Sequence, residues 1–224
     1  MNYSNSPLAV FRQISPNRNS PRNQPIKKIT IHHTAGVISI ENLGYRFSKP
    51  SVLASSNYGV GNDGRIALYV EEKDRSWCSS SASNDNQAVT IEVSNSATGG
   101  DWPISETALA ATVELCADIC KRNGIDRLIY TGTTAGNLTR HDLFVNKNCP
   151  GVYLGGRFPY IVDEVNRRLG KAVTPVSTAP GAIEVLVKHG VIGSPDYWLA
   201  NYNKIQYLDQ LIINMANKLH TLGG

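Results

Sequence analysis

Apolar and polar residues alternate from Lys27 to His33, with Ile29 and Ile31 two apart, and this period predicts a strand. Tyr58 to Val70 holds two β-prone runs around Asn62-Asp63-Gly64, a hairpin-turn sequence. Ala88 to Val93 and Arg127 to Thr131 read as two further strands. The period then changes. Leu109, Val113, Cys116 and Cys120 recur at helical spacing between Ser105 and Arg122, Ser105 suits the cap, and Gly124 suits the stop. A second helix is predicted from Pro159 to Leu169, closed by Gly170. Strands interleaved with helices indicate the α/β class, with one central sheet flanked by helices.

The flanks read differently. Residues 1–26 are rich in turn formers and predict an extended N-terminal arm lying over the domain at 27–170. Lys171 to Pro180 has linker composition. Residues 181–224 predict a small all-α C-terminal unit. Ala182 to His189 is apolar at helical spacing, Ser194-Pro195-Asp196 reads as a cap followed by a helix start, and Ile205 to Leu219 is amphipathic. Such a short unit buries little surface, so docking or homo-oligomerisation through its helices is expected to support it. Its Tyr197, Trp198, Tyr202 and Tyr207 have two readings, sugar stacking on a cell wall or the core of the unit itself.

Composition narrows the class. The chain has 224 residues, 41% hydrophobic and 18% charged, which allows a packed core. The net charge of +4 is too small to identify a polyanionic partner, and no nucleic acid is expected. No run of about 18 apolar residues is present, so no membrane span is expected. The first 20 residues lack a basic start followed by an apolar core, and the expectation is synthesis in the cytoplasm without a signal peptide. Cys78, Cys116, Cys120 and Cys149 form neither a disulfide framework nor a paired zinc knuckle. Cys116 and Cys120, four apart on one helix, are expected to be core, and His189 is expected at the surface.

Three features carry chemistry: His32-His33 at a strand end, Glu92 at another, and Arg140-His141-Asp142 followed by Lys147-Asn148-Cys149-Pro150. Catalytic zinc takes three protein ligands and keeps an open position, and imidazole and thiolate are suitable donors. Strand ends are rigid enough to hold such donors in place. Each feature alone also has an ordinary reading. A histidine pair is commonly structural and a lone cysteine is commonly a small core residue, so a packing role stays open at this point.

Four segments in order resemble the type 2 N-acetylmuramoyl-L-alanine amidases, the family shared with peptidoglycan recognition proteins and T7-type lysozyme. Ile29 to Gly36 (ITIHHTAG) resembles the opening motif and Tyr58 to Ile66 (YGVGNDGRI) the hairpin. Asn84 to Val93 (NDNQAVTIEV) resembles the Ile-Glu strand, and Arg140 to Gly151 the closing His-Cys motif. The resemblance spans about residues 28–170 and implies the peptidoglycan-recognition-protein-like amidase fold. It implies zinc as cofactor, with His32, His141 and Cys149 as its ligands and His33 packed behind them. The tyrosine that many relatives carry before the hairpin turn is replaced here by Ser56, with Asn57 beside it. This departure points to Glu92 as the base. Lys147 falls where relatives bind the developing oxyanion, and Asn57, Arg75 and Trp77 are expected to contact substrate.

The implied activity is hydrolysis of the amide between N-acetylmuramic acid and L-alanine. The implied partner is Gram-positive peptidoglycan, attacked by an endolysin or autolysin that reaches the wall after release. The alternative is a peptidoglycan-binding module without catalysis. Relatives of that kind have lost a zinc ligand, whereas all three implied ligands stand here.

Overall fold

The computed structural model describes residues 3–171 and 176–222, so residues 172–175 of the expected linker lie outside the described residues. The chain divides into two compact units, Met1–Gly155 and Gly156–Gly224.

The first unit is built on a sheet of six strands. In chain order these are β1 (Ala9–Arg12), β3 (Lys28–His33), β4 (Tyr58–Val60), β5 (Ile66–Leu68), β7 (Ala88–Val93) and β8 (Leu138–Arg140). A separate two-stranded ribbon joins β2 (Arg18–Asn19) to β6 (Arg75–Ser76). The spatial order is β1-β5-β4-β7-β3-β8. Only the β4–β5 hairpin pairs antiparallel within the sheet, and the other neighbours are parallel. Helices flank it: α1 (Ile40–Phe47), α2 (Ala82–Gln87), α3 (Glu106–Asn123) and the short α4 (Val152–Gly156).

The central strands have two different faces. Ile29, Ile31, Val89, Ile91 and Leu138 occupy one set of alternating positions and are fully buried. The other set holds Thr30, Thr90 and Thr139, equally buried but polar. These hydroxyls satisfy one another and their neighbours. Thr30 Oγ1 lies 2.9 Å from Thr139 Oγ1, Asn84 Nδ2 donates to Thr30 Oγ1 at 2.9 Å, and Ser76 Oγ lies 2.7 Å from Thr90 Oγ1. Each pairing avoids roughly 1–3 kcal/mol of desolvation cost. His32 and Glu92 continue this polar set by the period of two.

Helix α3 starts and stops where expected. Ser105 accepts a hydrogen bond from the Ala108 N–H, and Gly124 at φ 66 closes the helix through its N–H to Cys120 O. Cys116 and Cys120 are buried in the core.

Several expectations are corrected. The N-terminal arm is not laid over a finished domain, because β1 is an edge strand of the sheet and β2 holds β6. Arg127 to Thr131 is not a strand. Ile129 is half exposed, and its carbonyl accepts from the Asn137 and Leu138 N–H groups, while the strand forms at β8. Helices α1 and α2 have no counterpart in the sequence reading. Ser39 caps α1, whose Ile40, Leu43 and Phe47 pack with Ala67 and Tyr69. Its interior Gly44 obscures the helical signal, yet a Cβ there would come within 3.0 Å of Phe11 and 3.1 Å of Tyr69.

The second unit contains α5 (Phe158–Arg168), α6 (Ala179–Lys188), α7 (Pro195–Asn201) and α8 (Leu208–Leu222). Ala182, Ile183 and Leu186 of α6 pack with Ile212 and Ala216 of α8, and Trp198 and Tyr202 lie against that cluster. Tyr197 and Tyr207 are exposed. Helix α7 begins at Pro195 as expected, but Ser194 sits at φ 51 and its side chain caps nothing. His189 is not a bare surface residue, since its Nε2 lies 2.8 Å from Asp163 Oδ2. Lys188 joins the same carboxylate at 3.2 Å, so α5 is tied to the end of α6.

Candidate metal centre and its groove

The sheet brings the site together at the carboxyl ends of its parallel strands. His32 ends β3 one residue before the strand stops, and Glu92 stands beside it in register on β7. His141 follows β8 directly in a 3-10 turn, His141–Leu143. Cys149 returns from the loop beyond that turn. Its carbonyl accepts the Asp142 N–H at 3.0 Å, and its own N–H donates to Lys147 O at 2.9 Å. The loop is also held from β3, because His33 Nε2 lies 2.8 Å from Asn148 O. The His33 ring meets Trp102 edge-on at 5.4 Å. Gly151 passes beneath both at φ 84, where a Cβ would come within 2.9 Å of Trp102 and 3.3 Å of His33.

His32, His141 and Cys149 each contribute a donor atom within 4.8 Å of the other two. The two imidazole centroids are 4.6 Å apart, and Cys149 Sγ lies 3.7 Å from His32 Nδ1. Nitrogen and sulfur ligands at about 2.0 and 2.3 Å from one tetrahedral ion stand about 3.5 Å apart. Nε2 of His141 is buried with no hydrogen-bond partner. Leaving such a group unpaired costs about 1–3 kcal/mol, a cost that coordination to a cation removes. The donor set therefore fits zinc.

Electrostatics agree with that fit. Burial, reinforced by His141, His33 and Lys147, holds His32 well below the ordinary imidazole range. Burial likewise holds His141 down at about 4. Both rings are thus neutral, ready to donate a lone pair, at pH 7. Burial and the nearby Glu92 push the Cys149 thiol up, so it keeps its proton until a cation replaces it. Burial raises Glu92 to about 8, opposed by Arg46, the Cys78 thiol and Lys147. Glu92 Oε2 is buried and unpaired, and its Oε1 lies 3.9 Å from Cys78 Sγ.

Beside this centre runs a pocket of about 400 Å³ lined by residues that include Arg75, Trp77, Cys78, Asp85 and Lys147. Lys147 is exposed at its edge. Arg75 and Trp77 both donate to Asn19 Oδ1, Trp77 Nε1 at 2.6 Å. Strand β2 of the arm therefore shapes the groove wall. Asp85 fixes the floor by accepting the Cys78 N–H at 3.0 Å and the Ser79 hydroxyl at 2.6 Å.

The expected substrate contact of Asn57 does not fit this geometry. Asn57 has no exposed surface. Its Nδ2 donates to Val70 O at 3.1 Å, and its Oδ1 accepts the Thr90 N–H at 3.1 Å. It pins β4 to β7 from within and is saturated there. Sequence reasoning also missed Arg46, which sits in the last turn of α1, a helix absent from the sequence analysis.

A family model described as N-acetylmuramoyl-L-alanine amidase, Amidase_2, matches residues 22–152, more than half of the chain. The chain belongs to that amidase family. Its fold is similar to that of the PlyG catalytic domain, with 20% identity and a TM-score of 0.55, over 75% of this chain and 98% of that one. It is similar to PlyL, with 18% identity and a TM-score of 0.55, over 70% and 96% of the two chains. An AmpD derivative matches with 17% identity and a TM-score of 0.53, over 72% and 99%. A search of curated proteins returned no match. At these identities the likeness carries the fold, and the residues of this amidase-family chain must carry the chemistry. Among the described residues no helix is long and apolar enough to cross a membrane.

Proposed function

We propose that this chain is a zinc-dependent N-acetylmuramoyl-L-alanine amidase that hydrolyses the amide between N-acetylmuramic acid and L-alanine in peptidoglycan. The observation that carries the reading is the convergence of His32, His141 and Cys149, two buried imidazoles and a thiol within 4.8 Å of one another, at the end of a groove. Bound there, zinc supplies a Lewis acid that polarises the scissile carbonyl and acidifies water.

The chain's own residues do the rest. Glu92 takes the proton of the attacking water at its unpaired Oε2 and returns it to the leaving alanine amine. Burial raises Glu92 in the metal-free chain, and a dication beside it would oppose that burial and favour the carboxylate that accepts the proton. Lys147, at the rim of the pocket, offers its ammonium to the negative charge that develops on the carbonyl oxygen. Arg75 and Trp77 line the same pocket and hold the substrate through a charged and a flat apolar surface. His33 positions Cys149 through Asn148.

The biological setting we favour is lysis or remodelling of a Gram-positive wall by an endolysin or autolysin made in the cytoplasm and released to its substrate. The exposed Tyr197 and Tyr207 support a wall-directed role for the second unit.

The test is digestion of purified peptidoglycan by the full chain, after chelation and again after zinc is restored. New N-terminal alanine should appear with zinc and vanish with chelator. Release of reducing sugar ends without N-terminal alanine would assign a different bond.

A further inference from the structure

His32 belongs to a second cluster of donors. His32, Cys78 and Glu92 each place one donor atom within 4.8 Å of the other two. The Cys78 Sγ to Glu92 Oε1 distance is 3.9 Å. Sulfur and oxygen ligands at about 2.3 and 2.1 Å from one tetrahedral ion stand about 3.6 Å apart. These side chains carry two buried atoms that lack any hydrogen-bond partner, Glu92 Oε2 and His32 Nε2, and His32 has no exposed surface. Its Nδ1 is the nitrogen next to Cys149, which leaves Nε2 to be accounted for. Cys78 is held in place by its N–H to Asp85 Oδ2, and it borders the groove, so an ion has a path in.

We propose that Cys78, Glu92 and His32 form a second, weaker site for a thiophilic divalent cation, which fills when the ion is in excess and inhibits hydrolysis by occupying the Glu92 carboxylate. Thiolate, carboxylate and imidazole together select zinc or cadmium over magnesium or calcium. The second site is weaker for three reasons. It shares with the first His32, whose ring must give up its remaining N–H proton to solvent to bridge both ions, it sets a second dication close to the first, and Arg46 and Lys147 already direct positive charge at Glu92. The inhibition, though not the binding, rests on the reading of Glu92 as the proton carrier.

The experiment counts ions on the full chain with zinc alone by equilibrium dialysis, and repeats the titration with cadmium while following thiolate-to-metal absorbance. Wild type should take up two equivalents at saturation. Cys78→Ser and Glu92→Gln should each take up one, and Cys78→Ser should lose half of the cadmium absorbance. Excess zinc should suppress hydrolysis by wild type several-fold more than hydrolysis by Cys78→Ser. A wild type that saturates at one equivalent, or a Cys78→Ser variant that keeps both equivalents and the full absorbance, overturns the proposal. Cys149→Ser separates this from the first site. If that variant loses no ion while Cys78→Ser does, the reading of the primary centre fails and the second site stands.

Discussion

His32 and Glu92 stand opposite each other where β3 pairs in parallel with β7. Their alignment is set by the preceding pairs, Ile29 with Val89 and Ile31 with Ile91, all four fully buried. A slip of one residue would turn Glu92 toward the apolar side and Ile91 toward the donors. The geometry of the centre is thus locked by aliphatic side chains that touch none of its chemistry.

Glu92→Gln keeps the shape of the side chain and removes its ability to carry a proton. Hydrolysis should fall by about 10²–10⁴-fold, while the ion held by His32, His141 and Cys149 remains. Release of N-terminal alanine and tightly bound zinc, measured on the same preparation, check the two halves. Activity within a few-fold of wild type would move the proton to another group.

The His33 side chain acts on the metal centre through the loop it holds, with its Nε2 at 2.8 Å from Asn148 O. His33→Ala deletes the contact with Asn148 O and the edge of the Trp102 ring, freeing the segment that presents Cys149. Zinc affinity should weaken about 10–100-fold, the usual effect of losing a group that orients a ligand. Saturating zinc should restore most of the turnover. Competition against a chelator of known affinity reads the first effect, and an unchanged zinc affinity would reduce His33 to simple packing.

Much of this was legible in the sequence. The strands at Lys28–His33 and Ala88–Val93 announce themselves by a period of two, and α3 by its cap, spacing and stop. His32, His141 and Cys149 are named by the family resemblance and not by spacing, because their convergence depends on β3 and β8 being neighbours, and periodicity alone puts that strand at Arg127–Thr131. Asn57 shows the limit from the other side. Its place beside the hairpin suggested a substrate contact, and nothing local reveals that Thr90, 33 residues away, takes up its side chain. Arg46 was hidden because α1 is short and carries Gly44 for packing rather than for helix formation.

That buried role of Asn57 has a measurable consequence. Asn57→Ala strands the Thr90 N–H and the Val70 carbonyl inside the protein. The loss should be at least about 2 kcal/mol of unfolding free energy, read from urea denaturation. The KM for soluble muropeptide should stay close to wild type. A large rise in KM with unchanged stability would return Asn57 to the substrate site.

The pH dependence of the metal-free protein should carry opposite signatures, one from the buried imidazoles, His141 and His32, and one from Glu92. His141 is held by burial at about 4, below its ordinary 6.5. Between those values the unfolded chain binds a proton that the folded chain refuses, so stability rises with pH across that window. Glu92 is held by burial at about 8, above its ordinary 4.5. Between those values the folded chain keeps a proton that the unfolded chain has lost, so stability falls as pH rises. From pH 4.5 to 6.5 the two oppose each other, and above 6.5 the Glu92 loss stands alone. Unfolding midpoints taken in chelator should therefore decline from pH 6.5 to 8, and Glu92→Gln should flatten that decline. Parallel curves for wild type and Glu92→Gln over that interval would mean that Glu92 is ionised in the folded chain, and the carboxyl would then lack the proton that its burial is argued to hold.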